Sequence, residues 1–143
     1  MLQITKIFRF EMAHAIHGYP GKCKNIHGHS YELYVTIASA DTSENFLPGP
    51  GLIMDFKELK QIVNESLIQQ LDHQLVLSRD FLKAHPVPYP DNLLQWEHEP
   101  SAENILVYAQ QIISKKLPAT VRLVKLKLFE TNDSYAEWLI DHQ

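Results

Sequence analysis

Two histidines separated by one glycine, His27-Gly28-His29, stand at the head of a run from Ser30 to Ala38 in which polar and apolar residues alternate. That stretch restricts the fold more than any other. Alternation of this kind reads as a β-strand, whose successive side chains point to opposite faces. His27 and His29 therefore project the same way, with only the small Gly28 between them. Two imidazoles so placed can grip one ion if a third ligand arrives from elsewhere. Cys23 lies just upstream in a turn containing Gly21, close enough to reach whatever such an ion holds. Alone, the pair has half the ligands of a zinc site, and two ordinary histidines beside a loop thiol remain the competing reading.

The preceding run, Ile4 to Ala15, narrows the choice. Ile4, Phe8, Phe10, Met12 and His14 share one face; Thr5, Arg9, Glu11 and Ala13 share the other. Two long strands joined by the turn-rich link His17-Gly18-Tyr19-Pro20-Gly21 predict an antiparallel pair. Pairing would bring His14, at the end of the first strand, beside His27 and His29 at the start of the second. Three imidazoles with a fourth position open is the pattern of a catalytic zinc rather than a structural one.

Downstream, residues 41 to 51 read as a loop and Leu52-Ile53-Met54 as a short strand leading to Asp55. Asp55 with Glu58 resembles a capping box, and Phe56, Leu59, Ile62, Val63, Leu67 and Leu71 recur at helical spacing. That helix ends at Asp72-His73, an adjacent carboxylate and imidazole that a C-terminal cap would equally explain. Residues 78 to 99, with Pro86, Pro88 and Pro90, read as an irregular surface excursion holding one helical turn at Asp80 to Ala84. His17, His85, His98 and His142 have no partner spacing and read as solvated or locally bonded. A second helix starts with Ser101 as N-cap and ends near Pro118; Glu103 in its first turn suits the helix dipole. A third long strand, Thr120 to Thr131, closes its core-facing set with Glu130. A carboxylate there is costly to bury unless it binds something. A turn at Asn132-Asp133 leads to a fourth strand, Ser134 to Ile140.

A chain of 143 residues with 45% hydrophobic and 21% charged residues has ordinary globular composition and can bury a proper core in one domain. The net charge of -4 leaves no basic footprint for nucleic acid. The apolar runs are far short of a membrane span, and the first residues show no signal-peptide pattern. A single cysteine forms no intrachain disulfide, so a cytoplasmic setting with Cys23 as a free thiol is expected.

Taken in order, Phe10-Glu11-Met12-Ala13-His14, Cys23-x-x-x-His27-Gly28-His29, Gly51-Leu52-Ile53-Met54-Asp55-Phe56, Leu71-Asp72-His73, Pro100-Ser101-Ala102-Glu103-Asn104 and Glu130-Thr131 resemble the 6-pyruvoyltetrahydropterin synthase family. That family includes a queuosine-pathway branch, carboxytetrahydropterin synthase. The resemblance runs from Phe8 to Trp138. It implies an α+β tunnelling (T-fold) domain over residues 1–143, ordered β-β-α-α-β-β, an antiparallel sheet with two helices on one face. It also implies a homo-oligomer, a trimer or hexamer, whose strands close into a barrel with active sites between subunits. By the same resemblance, His14, His27 and His29 match the zinc ligands and Cys23 the catalytic thiol. Asp72 and His73 match the pair completing the catalytic triad. Glu130 matches the carboxylate that anchors the 2-amino-4-oxo edge of a pterin, with Ser101 and Glu103 as further substrate-binding candidates. The implied substrate is 7,8-dihydroneopterin triphosphate and the implied cofactor Zn2+.

Departures from the pattern are Met12, where the family usually has a small residue, Ser101, where threonine is common, and a longer segment from Ser78 to Glu99, expected to reshape the substrate entrance. Three residues between Cys23 and His27 favour the queuosine-type spacing over the longer animal type. A cysteine rather than a glutamate at position 23 argues against the branch that makes a folate precursor. The alternatives are 6-pyruvoyltetrahydropterin synthase and a non-catalytic, zinc-stabilised barrel that binds a pterin or purine.

Overall fold

Strands β1 (Gln3–His14) and β2 (His27–Ser39) pair antiparallel along their whole length in a computed structural model of the chain, which describes residues 1–43 and 45–141. His142 falls outside the described residues. The alternation in the sequence becomes a two-faced ribbon: Phe8, Phe10, Met12 and His14 are buried, whereas Arg9 and Glu11 between them are exposed. The chain then forms a helix in three parts: α1 (Phe56–Val63), a π-helical turn (Asn64–Ile68) and α2 (Gln69–Leu71). There follow β3 (Gln74–Ser78), α3 (Arg79–Ala84), β4 (Leu93–Trp96), α4 (Ala102–Lys116), β5 (Val121–Thr131) and β6 (Ser134–Leu139).

The caps behave as the sequence suggests. The Asp55 carboxylate accepts from Lys57 N–H, and the Ser101 hydroxyl accepts from Asn104 N–H at 3.1 Å. At the π turn the Ser66 hydroxyl donates to the Ile62 carbonyl at 2.6 Å, one extra residue being accommodated within an otherwise α-helical run.

One six-stranded sheet results, in the order β4-β3-β1-β2-β5-β6. The four strands β1, β2, β5 and β6 are antiparallel to their neighbours in that set, and β2 and β5 slip register between Thr36 and Ile37. The sheet as a whole is mixed, because β3 runs parallel to β1 and β4 parallel to β3. Both added strands come from sequence that alternation does not flag. Leu75-Val76-Leu77 is a continuous apolar run, buried at all three positions, as suits a strand covered on both faces. The segment after Ser78 is therefore not the irregular excursion its prolines suggest, although its helical turn does form, as α3. Leu52-Ile53-Met54 is irregular and not a strand.

Helix α1 with its π turn and helix α4 cover the face of the sheet carrying Phe8, Phe10, Tyr31, Leu33, Val35, Leu126 and Leu128, packing Leu59, Val63, Leu67, Ile105 and Ile113 into one core. A smaller cluster of Ala15, Leu75, Leu77 and Phe81 seats α3. Much of the other face stays open, with Ile7 and Tyr135 exposed among charged neighbours. There Lys127 lies over the rings of Tyr34, Phe129 and Tyr135, its ammonium 4.0 Å from the Tyr135 centroid. No helix among the described residues is long and apolar enough to cross a membrane.

Candidate metal centre and adjoining cavity

Register alone builds the imidazole cluster. His14 pairs directly with His27, and Met12 with His29, so three rings converge at one end of the β1–β2 ribbon. One ligand atom from each lies within 4.8 Å of the other two. Each ring stands edge-on to the next, with centroids 4.6 to 5.2 Å apart.

Hydrogen bonds fix which nitrogen faces inward. His14 Nδ1 lies 2.6 Å from the Pro100 carbonyl and His27 Nδ1 lies 2.7 Å from the Asn25 carbonyl. A carbonyl only accepts, so both Nδ1 atoms carry the hydrogen and each neutral ring turns its Nε2 lone pair toward the other. Those two Nε2 atoms are 3.1 Å apart, an unfavourable contact unless a proton or a cation stands between them. His29 Nε2 is buried without a hydrogen-bond partner among the described residues; the Glu130 carboxylate, at 3.4 Å, is within ion-pair reach but outside hydrogen-bonding geometry. Burial lowers the basicity of His14 below the usual imidazole value, opposed by its bond to Pro100 and by the charge of Glu130. Desolvation lowers His29 in the same direction. Imidazoles such as His14 and His27, whose outer nitrogens are held by backbone carbonyls, present their Nε2 atoms as a borderline-soft divalent ion requires. The donor set fits a metal.

Beside this cluster lies a cavity of about 180 Å³ lined by His14, Ile16, Tyr19, Cys23, Ser101, Ala102, Glu103 and Glu130. Cys23 sits in a 3-10 turn (Lys22–Lys24), and its carbonyl accepts from Ile16 N–H at 2.7 Å, which ties the turn to the end of β1. Glu130 arrives from the end of β5, and Ser101 and Glu103 from the start of α4. The structure thus gathers His14, Cys23, Ser101, Glu103 and Glu130 around one space.

Asp72 and His73 do not join them. His73 borders a different depression, lined also by Glu11, Met12, Ala13, Gly28, His29, Ser30, Gln74 and Asn92. Strand alternation explains the separation. The Ser30 hydroxyl donates to the Glu11 carboxylate at 2.7 Å, so these two residues occupy the face opposite Met12 and His29. The dyad itself is well built. His73 Nδ1 lies 3.0 Å from an Asp72 carboxylate oxygen, which also accepts from Glu11 N–H at 2.9 Å. That backbone bond is the chief reason the Asp72 carboxyl is held below its usual range, with His73 contributing and partial burial opposing. His73 is exposed and has a left-handed backbone with φ of 62°, a conformation that costs a non-glycine residue free energy.

Sequence reasoning does not find the partners that orient this site. Pro100 lies 86 residues from His14, and no local pattern marks a carbonyl as a second-layer acceptor. Glu99 is a similar case, its carboxylate accepting from His17 N–H at 2.7 Å. Tyr31, whose ring stacks on Phe10 with centroids 4.9 Å apart, reads only as core, yet its hydroxyl is buried near the imidazoles without a partner among the described residues.

The family model described as 6-pyruvoyl tetrahydropterin synthase matches residues 3–139. The chain is 28% identical over 145 residues to the 6-carboxy-5,6,7,8-tetrahydropterin synthase of Rickettsia bellii, covering 96% of this chain and 99% of that one. It is 34% identical over 116 residues to the 6-pyruvoyl tetrahydrobiopterin synthase of Pongo abelii, covering 80% and 68%. Among solved structures, the 6-pyruvoyl tetrahydropterin synthase of Caenorhabditis elegans superposes with a TM-score of 0.70 at 19% identity, covering 98% of this chain and 96% of that one. The structural likeness establishes the α+β T-fold.

Proposed function

The chain belongs to the 6-pyruvoyl tetrahydropterin synthase family, and on that footing we propose that it is a zinc-dependent 6-carboxy-5,6,7,8-tetrahydropterin synthase acting on 7,8-dihydroneopterin triphosphate. Residues 1–143 would serve as one T-fold domain, working in the cytoplasm as a step of queuosine biosynthesis. The observation that carries this reading is the adjacency of a metal-ready imidazole cluster to a cavity holding both a thiol and two carboxylates. The Cys23–His27 spacing and the relatives that share most of this chain favour the carboxy product. The animal relative, more identical over a shorter stretch, supports 6-pyruvoyltetrahydropterin synthase as the second reading.

His14, His27 and His29 would hold the ion through Nε2. Bound there, zinc supplies Lewis-acid polarisation of the substrate's side-chain hydroxyls, which makes the neighbouring C–H more acidic. Cys23 is the base that takes that proton as thiolate. Glu130 accepts hydrogen bonds from the amino edge of the pterin and sets its register, so the base meets the right carbon. Ser101 and Glu103 line the same space as further substrate contacts. Asp72 holds His73 by its Nδ1–H, leaving Nε2 outward to exchange protons.

The dyad and the thiol lie in different depressions of one chain, so the reading requires a second subunit to supply Asp72 and His73. Exposed Ile7, Tyr135 and Leu139 leave apolar surface for such assembly into a trimer or hexamer. The test is incubation of zinc-loaded protein with 7,8-dihydroneopterin triphosphate and identification of products by mass. Carboxytetrahydropterin with acetaldehyde supports the proposal, and pyruvoyltetrahydropterin with triphosphate transfers it to the second reading. Binding without turnover would make the protein a pterin-binding barrel.

A further inference from the structure

We propose that Asn92, carried by the segment between α3 and β4, is a positioning residue for His73; this rests on the lyase reading above. The observation is a set of tethers converging on one strained residue. His73 has φ of 62°, yet no glycine stands there. Its N–H donates to the Glu11 carbonyl at 2.6 Å, its carbonyl accepts from Asn92 Nδ2 at 2.8 Å, and its ring is held by Asp72 at 3.0 Å. Asn92 acts from both ends, because its own carbonyl accepts from Leu75 N–H at 3.0 Å. It thereby extends the β3–β4 ladder, which pairs Leu75 with Leu93, by one side-chain rung past its end.

Glu11 and Asp72 fix the imidazole from the β1 side, and the side of the residue facing away from β1 is held by Asn92. Without that rung, the peptide after His73 can rotate back toward an ordinary conformation and swing the exposed ring out of line. Asn92 borders the same depression as His73. In this reading the segment between α3 and β4 is a brace for the proton-transfer dyad. A residue held by two backbone anchors and one at its ring keeps a fixed direction at the surface, as an imidazole needs if it is to reach into another subunit's cavity.

The test uses the zinc-loaded oligomer and the Asn92→Ala and Asn92→Asp variants. Aspartate keeps the size but removes the donor. Both should lower kcat by about tenfold or more, with KM and zinc content within about twofold of wild type. The inference is overturned if kcat is unchanged in both. It is also overturned if the aspartate variant keeps full activity, which would make packing the cause, or if kcat falls only in step with lost zinc and unfolding. Reaction of His73 with diethyl pyrocarbonate, read by peptide mass, is independent of turnover. Its rate should shift in both variants and leave His98 unaffected; an unchanged His73 rate counts against the brace. If wild type itself shows no turnover, the lyase reading fails and the modification rate alone decides the role of Asn92.

Discussion

Replacing Tyr31 with phenylalanine should stabilise this protein. The ring is 1% exposed and stacks nearly parallel on Phe10, at 8° and 4.9 Å between centroids; phenylalanine keeps all of that contact. The hydroxyl has no hydrogen-bond partner among the described residues, and burial together with the nearby charge of Glu130 pushes its pKa up, beyond the ordinary phenol range. An unpaired buried hydroxyl costs about 1–3 kcal/mol of desolvation. Removing it leaves a void of one oxygen, which returns a few tenths of a kcal/mol. The expected net gain is about 1 kcal/mol, or a rise in Tm of roughly 3–4 °C for a chain of this size. Equilibrium urea unfolding of metal-free wild type and Tyr31→Phe at matched protein concentration measures it, with m unchanged. A loss of about 1 kcal/mol or more would refute the reasoning, since it would mean the hydroxyl has a partner in solution. A large rise in KM would assign that partner to the substrate.

Three further outcomes follow from the site. Chelation, or His14→Ala, should lower both metal content by atomic emission and thermal stability; an apo protein as stable as the loaded one would argue against a structural contribution from the ion. Cys23→Ala should retain zinc and bind pterin while losing turnover, and so should His73→Ala. Refolding those two inactive variants together should restore part of the wild-type rate, and persistent inactivity of the mixture would place thiol and dyad in one chain after all. Asp72 gives a signed pH effect. Its carboxyl is held low in the folded state, so the unfolded chain binds that proton more readily. The stabilisation is full above the ordinary carboxylate range and disappears as pH falls through the lower folded value. With the side chain 39% exposed, screening keeps the contribution under about 1 kcal/mol. Asp72→Asn should therefore narrow the gap to wild type on acidification, as measured by denaturation at pH 5 and at pH 3.

What could be read from the chain follows a physical divide. Strands β1, β2 and β5 each bury one face, and a two-residue period shows in the sequence wherever one face is wet. Register then placed His14 beside His27 without further information. Strands β3 and β4 had no such signal: one is covered on both faces and the other has only four residues. Prolines 86, 88 and 90 masked the stretch between them by marking the loop rather than the elements around it. The residue types at the candidate metal centre were legible from spacing. Their orientation was not, because it depends on the carbonyls of Asn25 and Pro100, which every residue possesses. The separation of Asp72 and His73 from Cys23 was equally hidden, since it depends on which side of a ribbon a distant helix end arrives.

The π turn at Asn64–Ile68 gives this family member an unusual point of evolvability. A π turn amounts to one residue inserted into an α-helix, so a single-residue deletion there would leave a regular helix behind. Each residue of an α-helix advances the chain by about 100°. Inserted into a plain α-helix, one residue would turn everything after it by that angle; the widened turn absorbs it, so that Leu59 and Val63 before the turn and Leu71 after it all reach the same core. The length of this helix can thus change by one codon at the turn while the Asp72–His73 pair at its end keeps its direction.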